Sequence, residues 1–292
     1  MIAAATPAAG AARDPLAARL PRVATIAQEE YRRALETRWL FAFSAAFAAL
    51  VLGLSYFGLA QGREVGFQGF ARVTLSLMNL VLLVVPLSGL MLGVASVAGG
   101  GDALPLLLAQ PVARGEVLVG KYLGLGAALS AAQALGFGGG GVVVALQAGS
   151  DHLPGFVALT VLSLALGWLS IAVALCIAVL APDRVRALSV ALLVWLGAVV
   201  AYDLAVLGAT AMLSGLPLER VLVPALLLNP VDLTRVMVTL AVGSGALFGP
   251  TSAVLAKTFG STGGIAVGAA VLVLETAIPL AVAARVFRRR DW

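Results

Sequence analysis

LSLMNLVLLVVPLSGLMLGVASVA occupies residues 75–98 and contains no charged side chain. The hydrocarbon core of a bilayer takes about 20 apolar residues of helix, so this stretch reads as a membrane-crossing helix. Pro86 removes a backbone donor in its middle and predicts a kink there. Five further stretches of the same kind flank it, at 39–59, 122–146, 156–180, 187–207 and 265–286. The fold expected is an all-α polytopic membrane protein with six transmembrane helices.

Composition excludes the alternatives. The 292 residues are 61% hydrophobic and 11% charged, whereas soluble domains are about 25% charged. A soluble chain this apolar has too few polar groups to cover its surface. A soluble enzyme, a disordered protein and a nucleic-acid-binding domain are therefore set aside, and the lipid bilayer is the expected environment. The length leaves no room for a large soluble domain beside six spans. Residues 1–21, rich in Ala and Pro and interrupted by Arg13, Asp14 and Arg19, read as a flexible tail. Residues 22–292 form one transmembrane domain.

Before the first span, VATIAQEEYRRALETR at 23–38 places Val23, Ile26, Ala27, Tyr31, Ala34 and Leu35 at helical spacing. Glu29, Glu30, Arg32, Arg33, Glu36 and Arg38 fill the remaining positions. This is the pattern of an amphipathic helix at a membrane surface. Between the fifth and sixth spans, 208–260 is too long for a turn and too interrupted by Gly and Pro for a clean span. It reads as external or re-entrant helices, because irregular backbone cannot face lipid.

Charge orients the chain. With six spans both termini share a face. That face carries all the Lys and Arg except Arg63, Arg72, Arg220, Arg235 and Lys257, out of 19. By the positive-inside rule the termini are cytoplasmic. On the same side, 99–121 carries Leu104, Leu106, Leu107 and Leu108, then Gln110, Pro111 and Arg114. An apolar cytoplasmic helix between spans two and three needs a cover, and docking to a cytoplasmic subunit is expected.

Sites within the chain are few. Gly115–Lys121 matches the start of a phosphate-binding loop, but Tyr122 follows where Ser or Thr holds Mg²⁺. Nucleotide is expected in another subunit. His152 and Cys176 are the single residues of their types, so no clustered metal ligands are visible and no disulfide can close. Asp203 and Glu275 lie within spans and are candidates for function, since intramembrane carboxylates are costly. Glycines at four-residue spacing, Gly89/Gly93, Gly120/Gly124, Gly136/Gly140 and Gly260/Gly264/Gly268, predict close helix packing, chiefly within the chain.

EEYRRALETRWLFAF at 29–43, LLLAQPVARGEVLVGKYLGL at 106–125 and FRRRDW at 287–292 resemble the permeases of type-2 ABC transporters. LGLSYFG at 52–58, NPVDLTR at 229–235 and LFGPTSAVLAKTFGS at 247–261 narrow the resemblance to the permeases of NosDFY systems, which serve copper-site maturation of nitrous oxide reductase. Members commonly carry a charged GERERGT-like stretch before the LLLAQPV-like word, where this chain has Gly99 to Pro105, GGGDALP.

The resemblance implies a multi-pass permease of the bacterial inner membrane, without catalysis or cofactor of its own. It pairs with a second copy, two NosF-like ATPase subunits holding ATP and Mg, and a NosD-like periplasmic protein. Docking of the ATPase falls to Glu29, Arg32, Arg33, Leu104, Leu107, Gln110, Pro111 and Arg114. The platform for the periplasmic partner falls to the outer segment, with Leu213, Glu219, Asn229, Asp232 and Arg235. Other readings are an ABC exporter of lipid, drug or polysaccharide, and a proton-coupled secondary transporter using Glu275.

Overall fold

The computed structural model describes residues 15–60, 67–98, 112–148, 153–181, 183–212, 218–242 and 250–289. Ten α-helices and one π-helical turn are found among them. The first, α1 (Pro15–Glu36), begins earlier than the amphipathic pattern alone suggests. Proline suits the first turn of a helix, where its missing N–H has no partner to lose. Thr37 closes α1 by donating its hydroxyl to Arg33 O at 2.9 Å. The chain then turns directly into α2 (Arg38–Ala60).

The bundle follows as α3 (Phe67–Ala98), α4 (Arg114–Ala148), α5 (Leu153–Leu180) and α6 (Arg184–Leu196). A π-helical turn (Gly197–Ala201) passes α6 into α7 (Tyr202–Met212), so these three pieces make one span. Two short helices, α8 (Leu218–Leu228) and α9 (Pro230–Val242), precede α10 (Pro250–Arg289). Among the described residues six helices are long and apolar enough to cross a membrane. Of the stretch 236–255, the described residues 236–242 and 250–255 are not among these six spans. Its first part ends α9, and its last part belongs to the start of α10.

At the centre, α3 packs on α5. A Cβ on Gly89 would lie 2.7 Å from Ser170 Cβ, and one on Gly93 2.5 Å from Ala174 Cβ, so only glycine permits this approach. The pair Gly136/Gly140 takes Phe47 and Val51 of α2 in the same way. Phe47 stands 5.3 Å from Phe137, edge to face, and Phe137 5.9 Å from Phe156. This aromatic run joins α2, α4 and α5.

Two sequence expectations need correction. Gly260 is not part of a packing stripe. Its φ of 73° breaks α10, a conformation glycine adopts without strain, and the span proper begins at Thr262. Gly268 does pack closely, against Met237 of α9. The third span also begins at Arg114 rather than Tyr122. The GEVLVGK word is therefore helix throughout and forms no phosphate-cradling loop.

Pro86 lies within α3 and has no N–H for Leu82 O, four residues back. One residue on, the Trp195 indole N–H donates to Leu83 O at 2.9 Å. That bond ties α6 to α3. Elsewhere the fifth span is sparsely covered, with Leu193 and Leu204 about two-thirds exposed. It presents an apolar face suited to lipid or to a second copy.

Candidate functional site

Six spans return the chain to its starting face, where the head of α4 meets the end of α10. Arg114 at the start of α4 donates to Arg288 O near the end of α10, at 3.5 Å. On this terminal face α1 lies across the first turns of α4. Gly120 and Gly124 make room for Ile26, Ala27 and Glu30.

The contact carries an ion pair. Glu30 is 6% exposed and Lys121 5%. Lys121 Nζ donates to Glu30 Oε1 at 2.5 Å and to Ser96 O at 3.0 Å. Burying both charges costs several kcal/mol per ion, about which the pair and its extra hydrogen bond roughly break even. The effect is geometric, since one ammonium holds α1, the end of α3 and the start of α4. Those ends of α3 and α4 flank the segment 99–111.

The expected docking residues divide. Glu29, Arg32 and Arg33 lie on the outward side of α1, with Arg33 Nε donating to Glu29 Oε1 at 2.8 Å and Arg32 3.8 Å from Glu36. Exposed pairs of this kind contribute well under about 1 kcal/mol and leave the charges accessible. Arg114 stands at the head of α4, and Glu116 accepts from Ala113 N–H at 3.3 Å to cap that helix. Leu104, Leu107, Gln110 and Pro111 lie outside the described residues.

Sequence reading missed the Glu30–Lys121 pair. A signal was present, because Glu30 falls four residues after Ile26 and four before Ala34 on the apolar stripe. An acid in that position calls for a buried partner.

Toward the opposite face α8 and α9 form a helical hairpin that turns at Asn229, with α9 packed on α5 and α10. Asn229 Nδ2 donates to Ala198 O at 2.8 Å, inside the π-helical turn. Tyr202 N–H goes to Gly197 O, five residues back, rather than to Ala198 O as in an α-helix. The turn thus offers Asn229 a carbonyl at mid-span, about 15 Å along the helix from Gly208 at 1.5 Å per residue.

Asn229 also starts α9. Its Oδ1 accepts from Val231 N–H at 3.1 Å, Pro230 takes the first helical position, and Asp232 sits in the first turn. All three are favoured at helix N-termini. Arg235 Nη1 donates to Asp232 at 2.8 Å, and Arg235 Nη2 reaches Asp203 of α7 at 3.2 Å. Asp203 thus has a guanidinium partner. The Tyr202 hydroxyl donates to Ala225 O, fastening α8 to the same span.

Two platform candidates are buried in this geometry. Asn229 is 2% and Asp232 9% exposed, because α9 packs on α5 and α10 through Leu233, Met237, Leu169 and Leu272. They shape the hairpin and present no open surface. Leu213 lies outside the described residues. The backbone of Glu219 belongs to α8, and Arg235 is partly exposed. The Oε2 of Glu275 is buried and lacks a hydrogen-bond partner among the described residues.

The comparisons with known proteins agree with this architecture. The family model for ABC-2 family transporter proteins matches residues 24–292. A Pseudomonas aeruginosa protein named "Probable ABC transporter permease protein NosY" is 36% identical over 224 residues, covering 75% of this chain and 82% of the relative. A protein of the same name from Stutzerimonas stutzeri is 33% identical over 239 residues, covering 79% and 86%. A multi-pass helical chain matched over nearly its whole length by this family model is an ABC-2 permease subunit, and the chain belongs to the ABC-2 transporter family.

Proposed function

We propose that this chain is the membrane subunit of a NosDFY-type system and couples ATP hydrolysis in a cytoplasmic NosF-like subunit to events across the bacterial inner membrane. Both termini face the cytoplasm. Two copies pair, each with one ATPase subunit, and ATP and Mg stay in the ATPase. The work done is remodelling of a periplasmic NosD-like partner, or movement of a small species, during maturation of the copper sites of nitrous oxide reductase. The NosY names of the relatives support this assignment.

The observation that carries the coupling is the Glu30–Lys121–Ser96 junction. It ties α1 to the two helix ends that flank 99–111. A force applied to that segment therefore moves α1, α3 and α4 together. From the bundle, the Asn229–Ala198 and Arg235–Asp203 links carry displacement to the hairpin and the outer surface.

Leu107→Asp tests the docking half. It puts an ionised group into an apolar contact, which costs several kcal/mol, so the ATPase subunit is lost on co-purification. Retention at the wild-type yield refutes it. For the outer half, Cys176 is replaced by Ser and a cysteine placed at Ser214 or Glu219. It labels from the periplasm and becomes protected when the NosD-like protein binds. Labelling from the cytoplasm refutes the orientation, and unchanged labelling with the partner bound refutes the platform.

A further inference from the structure

On the terminal face a cavity of about 460 Å³ lies between α1, α3, α4 and α6. The volume is in the range of small-ligand sites. Its lining changes character across its width. Met91, Leu92, Leu125 and Leu188, from three spans, form an apolar wall, whereas Arg33 and Arg184 supply guanidinium groups. Glu30 and Lys121 also border it, but they neutralise each other at 2.5 Å.

Arg184 has no ion-pair partner among the described residues. The adjacent acid, Asp183, is engaged with Arg186 instead, accepting its backbone N–H at 2.8 Å and lying 3.5 Å from its Nε. Arg33 shares its Nε with Glu29. The chamber therefore joins a cationic rim to an apolar wall.

We propose that this chamber binds one anionic phospholipid, with its phosphate between Arg33 and Arg184 and the start of an acyl chain against Met91, Leu92 and Leu188. The depth fits. Besides α1 and α4, the lining comes from the first turns of α2 and α6 and the last turns of α3, where lipid headgroups lie. Trp39, also in the lining and 48% exposed, has the amphipathic ring favoured at that level. A free anion would leave the apolar wall unused, and an apolar ligand would leave the Arg184 guanidinium without a counter-charge. A phospholipid satisfies both. The occupant would wedge between α1 and α6, beside the Glu30–Lys121 junction, so its headgroup would bear on the same joint.

Native mass spectrometry of the purified, delipidated full chain tests this, with phosphatidylglycerol and phosphatidylcholine added separately. Wild type retains one phosphatidylglycerol per chain and releases phosphatidylcholine. The Arg33→Gln, Arg184→Gln pair weakens phosphatidylglycerol binding roughly tenfold, given a factor of about five per basic side chain at an anionic surface and the Glu29 partner of Arg33. Leu188→Trp, which fills the chamber and leaves its charges, also reduces retention. Arg32→Gln with Arg186→Gln, outside the chamber, leaves retention as in wild type. Equal retention of the two lipids, or wild-type binding by the Arg33/Arg184 pair, overturns the proposal. Displacement by inorganic phosphate shows a free-anion site and overturns it. Loss of the lipid when the ATPase subunit is added assigns the chamber to that protein and also overturns it.

Discussion

Lys121 Nζ lies 2.5 Å from Glu30 Oε1 and 3.0 Å from Ser96 O, with both charged side chains almost fully buried. This places a basic residue within the third span and gives it an acid from a helix that never crosses the membrane. Its removal leaves a lone charge in an apolar joint. Glu30→Gln and Lys121→Met are each expected to destabilise the chain by about 3–5 kcal/mol. The combination Glu30→Leu with Lys121→Met recovers most of that loss, because no unpaired charge remains. Thermal unfolding in detergent reads the difference. Equal stability of the single variants and wild type would show that the pair is solvated.

Glycine substitutions separate close packing from open surface. A Cβ at Gly124 would lie 2.8 Å from Glu30 Cβ and press on Ala27 O, whereas at Gly138 nothing lies within 4 Å. Gly124→Ala should cost about 1–3 kcal/mol through overpacking. Gly138→Ala should be neutral, or stabilising by up to about 1 kcal/mol, since alanine is the better helix former. Melting temperatures of the two variants, taken side by side, settle the matter.

The hairpin depends on Asn229. Asn229→Ala removes the cap of α9 and the bond to Ala198 O, an expected loss of about 2 kcal/mol from the two together. Asn229→Asp keeps the cap acceptor but has no donor for Ala198 O, and it adds a carboxylate beside Asp232. It should be no better than alanine, although both residues are good caps. Rescue by Asp would show that the cap alone matters. Hydrogen exchange of α9 amides gives the local readout.

Glu275 is partly buried, and its Oε2 has no hydrogen-bond partner among the described residues. Glu275→Gln is expected to leave assembly intact and to lower activity without abolishing it. Walker-motif substitutions in the ATPase subunit should abolish activity. Activity driven by a pH gradient with no ATPase present would favour the proton-coupled alternative.

The six spans were legible because membrane insertion depends on summed apolar content along a helix, which a linear sequence records directly. LSLMNLVLLVVPLSGLMLGVASVA, uncharged over 24 residues, records a span directly. Pairings between distant helices were not legible in the same way. Glu30 is 91 residues from Lys121, and Asp203 is 32 from Arg235. Their energies depend on which helix faces meet and how deeply water is excluded. Only tertiary packing decided those terms, through the glycines that let α1 reach α4 and the π-helical turn that offered Ala198 O to Asn229. The same packing made Gly260 a break instead of a packing surface. Local sequence specified the elements, and burial selected which polar groups had to find each other.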